Sequence, residues 1–422
     1  MDRVVNPRPA LPENRQIFSN KALRAMIVPL LIEQLLQLIV GIADTMMVSY
    51  AGEATVSGVS LDTMIYTIFI YLFTASATGA AVIVSQYIGR GDRERANLAA
   101  SQGFHIAGVL SLVCLALTLI FGNAVLARLY ARVDDEVMSA CKIYLRIVAL
   151  SFPANAIYNA GAALYRSMGR TRTTMIVSAA MNLLNVIGNA IGVFVLKAGA
   201  AGVAWPTTIS WCFAAVVMTI LCFNEKNDVF VRLKDMLRLK RDMAGRILHI
   251  ALPNAAEQVL FQMAKVVLGS LIATFGTSQI AANGIGQTLW SLAACMCTSM
   301  NPVFITVVGR CMGAGDADAA AWYMRKLTRL SLILSTLWNA LVQPFAMPLS
   351  SGLRAAGDVQ FSLWSSLLCT VLLRTALSFI LGLWLNMGIV GIAWAMVLDW
   401  CLKAALDVLR FRSNRWRSHR VI

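Results

Sequence analysis

Eleven charge-poor apolar stretches, each near the length that carries an α-helix across a bilayer, follow one another almost without interruption. In the first half they lie at roughly 25–50, 55–88, 100–127, 142–165, 173–196 and 199–223. In the second they lie at roughly 247–275, 279–309, 330–349, 360–386 and 388–409. What remains leaves no room for a soluble domain. Composition agrees: 58% of residues are hydrophobic and 14% charged, against about half and about a quarter in soluble domains. An ordinary soluble enzyme and a disordered chain are both excluded. The fold class expected is an all-α polytopic membrane protein.

The formal charge of +15 would point to nucleic acid in a soluble protein, but its distribution has another meaning. Of the 36 basic residues, 29 fall in alternate connections: the first 24 residues, 90–95, 166–172, 225–246, 310–329, Arg354, and Lys403 onward. The opposite connections hold five (Arg128, Arg132, Lys142, Arg146 and Lys197), while Lys265 and Arg374 lie within spans. Such alternation is the positive-inside pattern, with both termini cytoplasmic and anionic lipid as a secondary contact. No nucleic-acid partner is expected. Residues 1–24 carry five basic residues and no short apolar core before a cleavage site, so the first span is expected to direct insertion. The nine cysteines show no CxxC spacing, and His105, His249 and His419 are the only histidines. Neither a metal site nor a disulfide framework is supported.

The chain repeats itself. At an offset of 224, Pro29, Glu33, Gln34, Gly52, Gly89, Gly91 and Asp92 fall on Pro253, Glu257, Gln258, Gly276, Gly313, Gly315 and Asp316. Further on, Gly169 pairs with Gly357 at 188, and Gly202 and Trp205 pair with Gly391 and Trp394 at 189. The second copy is therefore about 36 residues shorter between positions 316 and 357. Two pseudo-symmetric helical lobes follow, of six and about five helices: 1–224 and 247–422. They are joined by a basic cytoplasmic linker at 225–246, expected as a solvated amphipathic helix. With an even number of helices per repeat, the copies share one orientation, an architecture of secondary transporters in which two lobes face a cleft. In the shortened copy, 330–349 is expected to be a re-entrant hairpin turning near Trp338 and Asn339, since a single span would put the basic tail outside.

Polar residues inside the spans are candidates for function, because an ionised carboxylate there costs at least about 2.5–3.5 kcal/mol. On the first span Glu33, Gln37, Gly41 and Asp44 share one helical face, with the two acids about 16 Å apart along the axis. Asp44, Glu33 and Glu257 are the candidate cation-coupling residues. Asn182, Asn185 and Asn189 form a stripe on the fifth span that can bind an ion or a substrate, or join helices beside the Gly188–Gly192 close-approach pattern. Gln37, the three asparagines and Lys265 are the candidate cleft-lining groups. Lys265 either repels cations or pairs with Glu257, and Arg374 with Asp399 reads as a structural pair. No nucleophile with its base, phosphate loop or metal spacing emerges, so no enzyme is expected.

These residues resemble the multidrug and toxic compound extrusion (MATE) transporters. The resemblance rests on Pro29-x-x-x-Glu33 leading to Ala43-Asp44-Thr45-Met46-Met47-Val48; on Gln86-Tyr87-Ile88-Gly89-Arg90-Gly91-Asp92; and on Tyr165-Arg166-Ser167-Met168-Gly169-Arg170. In the second half it rests on Leu252-Pro253 with Glu257, Gly313-Ala314-Gly315-Asp316, Leu353-Arg354-Ala355-Ala356-Gly357-Asp358 and Ala395-Met396-Val397-Leu398-Asp399-Trp400. It implies two helical lobes with alternating access, and efflux of small organic cations from a plasma membrane driven by sodium or proton. No cofactor is implied beyond that coupling ion, and a monomer suffices. By the same resemblance Asp44 and Glu257 match the family's coupling acids. Asn189 stands where many relatives carry aspartate, with Glu33 as a substitute. Two alternatives are a flippase for a lipid-linked precursor and a protein left transport-inactive by the shortening.

Overall fold

In the computed structural model, residues 7, 11–12, 15–130, 134–273, 275, 277–336, 342–419 and 422 are described, and among them every regular element is helical. The first half forms α1 (Asn20–Ser49), α2 (Glu53–Arg90), α3 (Arg93–Leu129), α4 (Asp135–Ala149), α5 (Phe152–Ser167), α6 (Thr171–Ala190) and α7 (Gly199–Cys222). Helices α4 and α5 are bent by 47° at their junction and together are long and apolar enough for one span. The break falls where Pro153 enters the first turn of α5; a proline lacks the N–H an interior turn needs but fits at a helix start.

The expected linker helix is corrected. Only Leu233–Leu237 (α8) is helical before α9 (Arg241–Ala273) begins, and the segment is fastened along one face of α3. Asn97 and Ser101 accept from the backbone N–H groups of Phe230 (3.0 Å) and Arg232 (2.9 Å). Gln102 donates to the carbonyls of Asp235 and Arg238 and accepts from the N–H of Lys240. These side chains satisfy backbone groups that a longer helix would have satisfied internally.

The second half continues with α10 (Thr277–Gly313), α11 (Ala317–Thr336), α12 (Gln343–Ala346), α13 (Pro348–Ala355), α14 (Val359–Ser366), α15 (Arg374–Phe379) and α16 (Gly388–Arg412). A π-type segment, Leu367–Leu373, joins α14 to α15 and a second, Ile380–Trp384, extends α15, making one span, Val359–Trp384. Among the described residues eight helices are long and apolar enough to cross a membrane, or ten when two bent pairs each count as a span. The stretch 330–349 is not one element. Helix α11 reaches Thr336, α12 is a single turn, and Pro344 and Pro348 each stand at a helix start. The turn expected near Trp338 and Asn339 lies outside the described residues. Among the described residues α3 has 37 residues and its counterpart α11 has 20, about 55 Å against about 30 Å.

The chain divides into two compact units. One comprises Ile32–Ala81 and Asn97–Ile247. Its core stacks Phe152 against the rings of Tyr66, Phe69 and Phe73. The other comprises Met1–Leu31, Val82–Ala96 and Leu248–Ile422. Within it the end of α2 crosses α10 through matched glycines. A Cβ on Gly89 would lie 2.0 Å from the Arg310 carbonyl oxygen, and one on Gly313 would lie 1.9 Å from that of Gln86. Each helix then ends on a left-handed glycine, Gly91 at φ +79° and Gly315 at φ +76°. An aspartate follows that caps the next helix: Asp92 accepts from Arg95 N–H at 3.0 Å and Asp316 from Ala319 N–H at 2.8 Å. The repeated Gly-x-Gly-Asp thus encodes a close crossing, a turn and a cap, once per repeat.

Candidate functional site

Asp44 lies near the end of α1 and meets the asparagine stripe of α6. Asn189 donates to its Oδ1 at 3.0 Å. One atom of the Asn185 amide lies 3.1 Å from Asp44 Oδ2 and 3.2 Å from Oδ1. With its nitrogen toward the acid, the amide donates to Asp44 and its oxygen accepts from Thr207. The group beyond it is Thr207 of α7, 3.3 Å from Asn185. No basic side chain of the described residues comes within ion-pair distance of Asp44. It is a half-buried carboxylate ringed by groups that can bind a cation without competing charge.

The helices approach closely enough for this because α6 and the π-type segment that extends it, Ile191–Val195, are notched. Cβ atoms on Gly188 and Gly192 would lie 2.6 Å from the Pro206 side chain and 1.9 Å from the Gly202 carbonyl of α7. The asparagines and the Gly-x-x-x-Gly pattern therefore act together: the glycines bring α7 in, and Asn185 meets Thr207 across the gap. Asn182, a turn earlier, keeps a buried Nδ2 without a partner, while Gln37 is exposed and accepts from Gln34 at 3.4 Å.

Glu33 and Glu257 are arranged differently from Asp44. Glu33 is buried and accepts from Arg166 of α5 at 2.6 Å and from Thr174 of α6 at 3.3 Å. Glu257 of α9 accepts from Arg354 of α13 at 2.7 Å, from Ser366 of α14 at 2.6 Å and from Lys403 of α16 at 3.3 Å. The glutamates stand 224 apart and the arginines 188 apart, the offsets that superpose the repeats on either side of the shortening. One ion pair has been copied. That coincidence is the sequence signal that could have identified Arg166 and Arg354 as partners of the acids.

Lys265 does not pair with Glu257. Its ammonium sits 5.0 Å from the ring centroid of Phe261 and 5.8 Å from that of Trp290, where a partly buried cation gains from the π faces. Arg374 and Asp399 form the expected buried pair, two-pronged at 2.9 and 3.1 Å. Asp62 of α2 escaped sequence reasoning: it is fully buried and accepts from the Cys141 thiol at 3.1 Å, and its second oxygen has no partner. No group of residues that could hold a metal ion occurs among the described residues.

A duplicated bundle of membrane-crossing helices, with carboxylates held among them, is the architecture of a secondary transporter. The family model described as MatE matches residues 29–191 and 253–349, more than half of the chain. The chain belongs to the MATE family, and so is a transporter and not an enzyme. It is 24% identical to an uncharacterized transporter, YisQ, of Bacillus subtilis, over 92% of this chain and 93% of that one. It is 23% identical to a probable multidrug resistance protein, NorM, of Thermotoga maritima, over 99% and 96%. A solved structure of a MOP-superfamily transporter from Pyrococcus furiosus, described as having a binding pocket of reverse polarity, superposes with a TM-score of 0.84 at 18% identity, covering 93% of this chain and 95% of the other.

Proposed function

We propose that the chain exports cationic amphipathic drugs or toxins from the cell by antiport against sodium or proton, with alternating access, acting as a monomer in the plasma membrane with both termini cytoplasmic. The observation that carries this reading is Asp44: a carboxylate within a span, contacted by amides and faced by no basic side chain among the described residues. A proton or sodium ion bound there removes a charge that the membrane penalises, so binding couples to which side the site faces. Gln37 and Asn182 extend the polar face on which a substrate cation would rest. The name of the Thermotoga relative and the positive-inside charge pattern support the same reading.

Glu33 and Glu257, each engaged by arginine, serve in this proposal to hold helices together, and the coupling role falls to Asp44. Lys265 supplies a positive charge that discourages cations from resting beside the second repeat when no substrate is present. The reading as a lipid-precursor flippase is disfavoured because Arg374 is already committed to Asp399, which leaves Lys265 alone to grip a phosphate. The test is efflux of a fluorescent organic cation from proteoliposomes, with sodium and proton gradients imposed separately. Efflux that follows one gradient identifies the ion; efflux indifferent to both from correctly inserted protein overturns antiport.

A further inference from the structure

Asp407 is a fully buried carboxylate on α16, and neither of its oxygens has a hydrogen-bond partner. In the first repeat the equivalent position, 189 residues earlier, is Met218, also fully buried. One turn before it, Lys403 stands where the first repeat has Ala214. The second repeat has thus placed an acid and a base at two positions that the fold treats as apolar core. Helix geometry stacks them on one face, four residues apart.

Four charged groups act electrostatically on Asp407. They are Lys403 on its own helix, Glu257 on α9, Arg354 on α13 and Asp358 at the start of α14; the Cys369 thiol also lies close. Asp358 is neutralised by a two-pronged bond from Arg410 at 2.6 and 3.1 Å, with His419 at 3.8 Å. Glu257 is shared between Arg354 and Lys403. Lys403 also donates to Ser366 at 2.6 Å. One carboxylate therefore faces two cations, and Asp407 is the remaining acid.

An ionised carboxylate buried without a single hydrogen bond is far less stable than its neutral acid, and a proton on Asp407 would remove that cost. Losing that proton would create an anion one helical turn from the Lys403 ammonium, in competition with Glu257 and Ser366. We propose that Asp407 is a proton-binding site of the second repeat, and that its occupancy decides whether Lys403 clasps α16 to Glu257 of α9 and Ser366 of α14. Proton release would transfer Lys403 to Asp407 and loosen that clasp, while Arg354 keeps Glu257 paired. The site takes a proton, because Asp407 is fully buried and the neighbouring carboxylates Glu257 and Asp358 are already engaged by Arg354, Lys403 and Arg410.

The link to transport rests on the antiport reading, but proton binding itself does not, so the test separates the two. Infrared difference spectra of the purified full-length protein in nanodiscs are recorded while the pH is raised. The expected result is loss of a protonated-carboxyl band in the wild type that is missing from Asp407→Asn and from Asp407→Met, the residue the first repeat uses. The second substitution guards against misfolding of the first. The pH profile of efflux in Asp407→Asn should also lose one ionisation. An unchanged band in both folded variants would overturn the proposal, and so would a band that never titrates. Absence of gradient-driven efflux in the wild type would overturn the antiport reading while the infrared result still decides the fate of Asp407.

Discussion

The same Glu–Arg pair occurs twice in this chain, in two different settings. Around Glu33 there is one acid, one arginine and one threonine hydroxyl. Around Glu257 there is one arginine, a serine, an added lysine and, one turn on, an added aspartate. A single buried pair has one arrangement that satisfies it. A cluster with an exchangeable lysine has at least two, which is the requirement for a switch. Conversely, the amide-ringed acid Asp44 occurs only in the first repeat, since its counterpart is Leu268. Duplication supplied a common frame, and each copy gained its own titratable group on it.

The crossing that both copies share should be the least tolerant of change. Gly313→Leu, whose Cβ would lie 1.9 Å from a backbone carbonyl, is expected to abolish recovery of folded protein, measured as the monodisperse fraction after solubilisation. Gly91→Ala, where only the left-handed backbone resists and nothing lies within 4 Å, should cost no more than about 1–2 kcal/mol. Equal loss in both would show that the crossing is not the constraint.

The paired acids provide the next test. Arg166→Leu strands Glu33 with one hydroxyl and should destabilise by about 3–5 kcal/mol. Arg354→Leu leaves Glu257 with Lys403 and Ser366, and should cost only about 2 kcal/mol, the usual worth of a hydrogen bond to a charged group. Reversible unfolding in mixed micelles measures both. The reverse order would show that Lys403 does not stand in for the arginine, and the contrast between the clusters would fail.

The smallest effect concerns the two capping aspartates. The Arg15 guanidinium donates to both oxygens of Asp316, with Nε–Oδ2 at 2.8 Å, and holds its carboxyl below the usual range. Among the described residues Asp92 has Arg95 as its ion-pair partner, at 3.5 Å and more than half exposed. A lowered folded-state pKa gives stability that is present above the unfolded value of about 3.9 and is lost as pH falls through the folded value. Arg15→Ala should therefore lower stability modestly at neutral pH, with the difference from the wild type shrinking as pH falls below the usual carboxylate range. A difference that does not change with pH would remove this contribution.

The spans and the family were legible in the sequence because hydrophobic length and repeated motifs are properties of the chain itself. So was the Asp44–asparagine face, since 3.6-residue periodicity places 33, 37 and 44 together and 182, 185 and 189 together. Partnerships were not legible. Lys265 was open to pairing with Glu257 by spacing along one helix, yet Glu257 is claimed by residues 97 and 146 positions away, and the aromatic rings that hold Lys265 come from its own helix and from α10. Asp407 lay hidden in the basic tail of the last helix, where a charge looks like an interface anchor until burial is known. The linker misled because an amphipathic pattern does not reveal which polar surface it faces.

The central claim concerns Asp44, and one variant tests it most directly. Asp44→Asn and wild type are reconstituted side by side, with insertion and folding checked by protease accessibility and thermal stability. Substrate efflux is then followed under the gradient that drives the wild type. The expected result is normal insertion with coupled efflux lost, and with substrate no longer able to drive counter-movement of the ion. Full coupled efflux in the inserted variant would contradict a coupling role for Asp44.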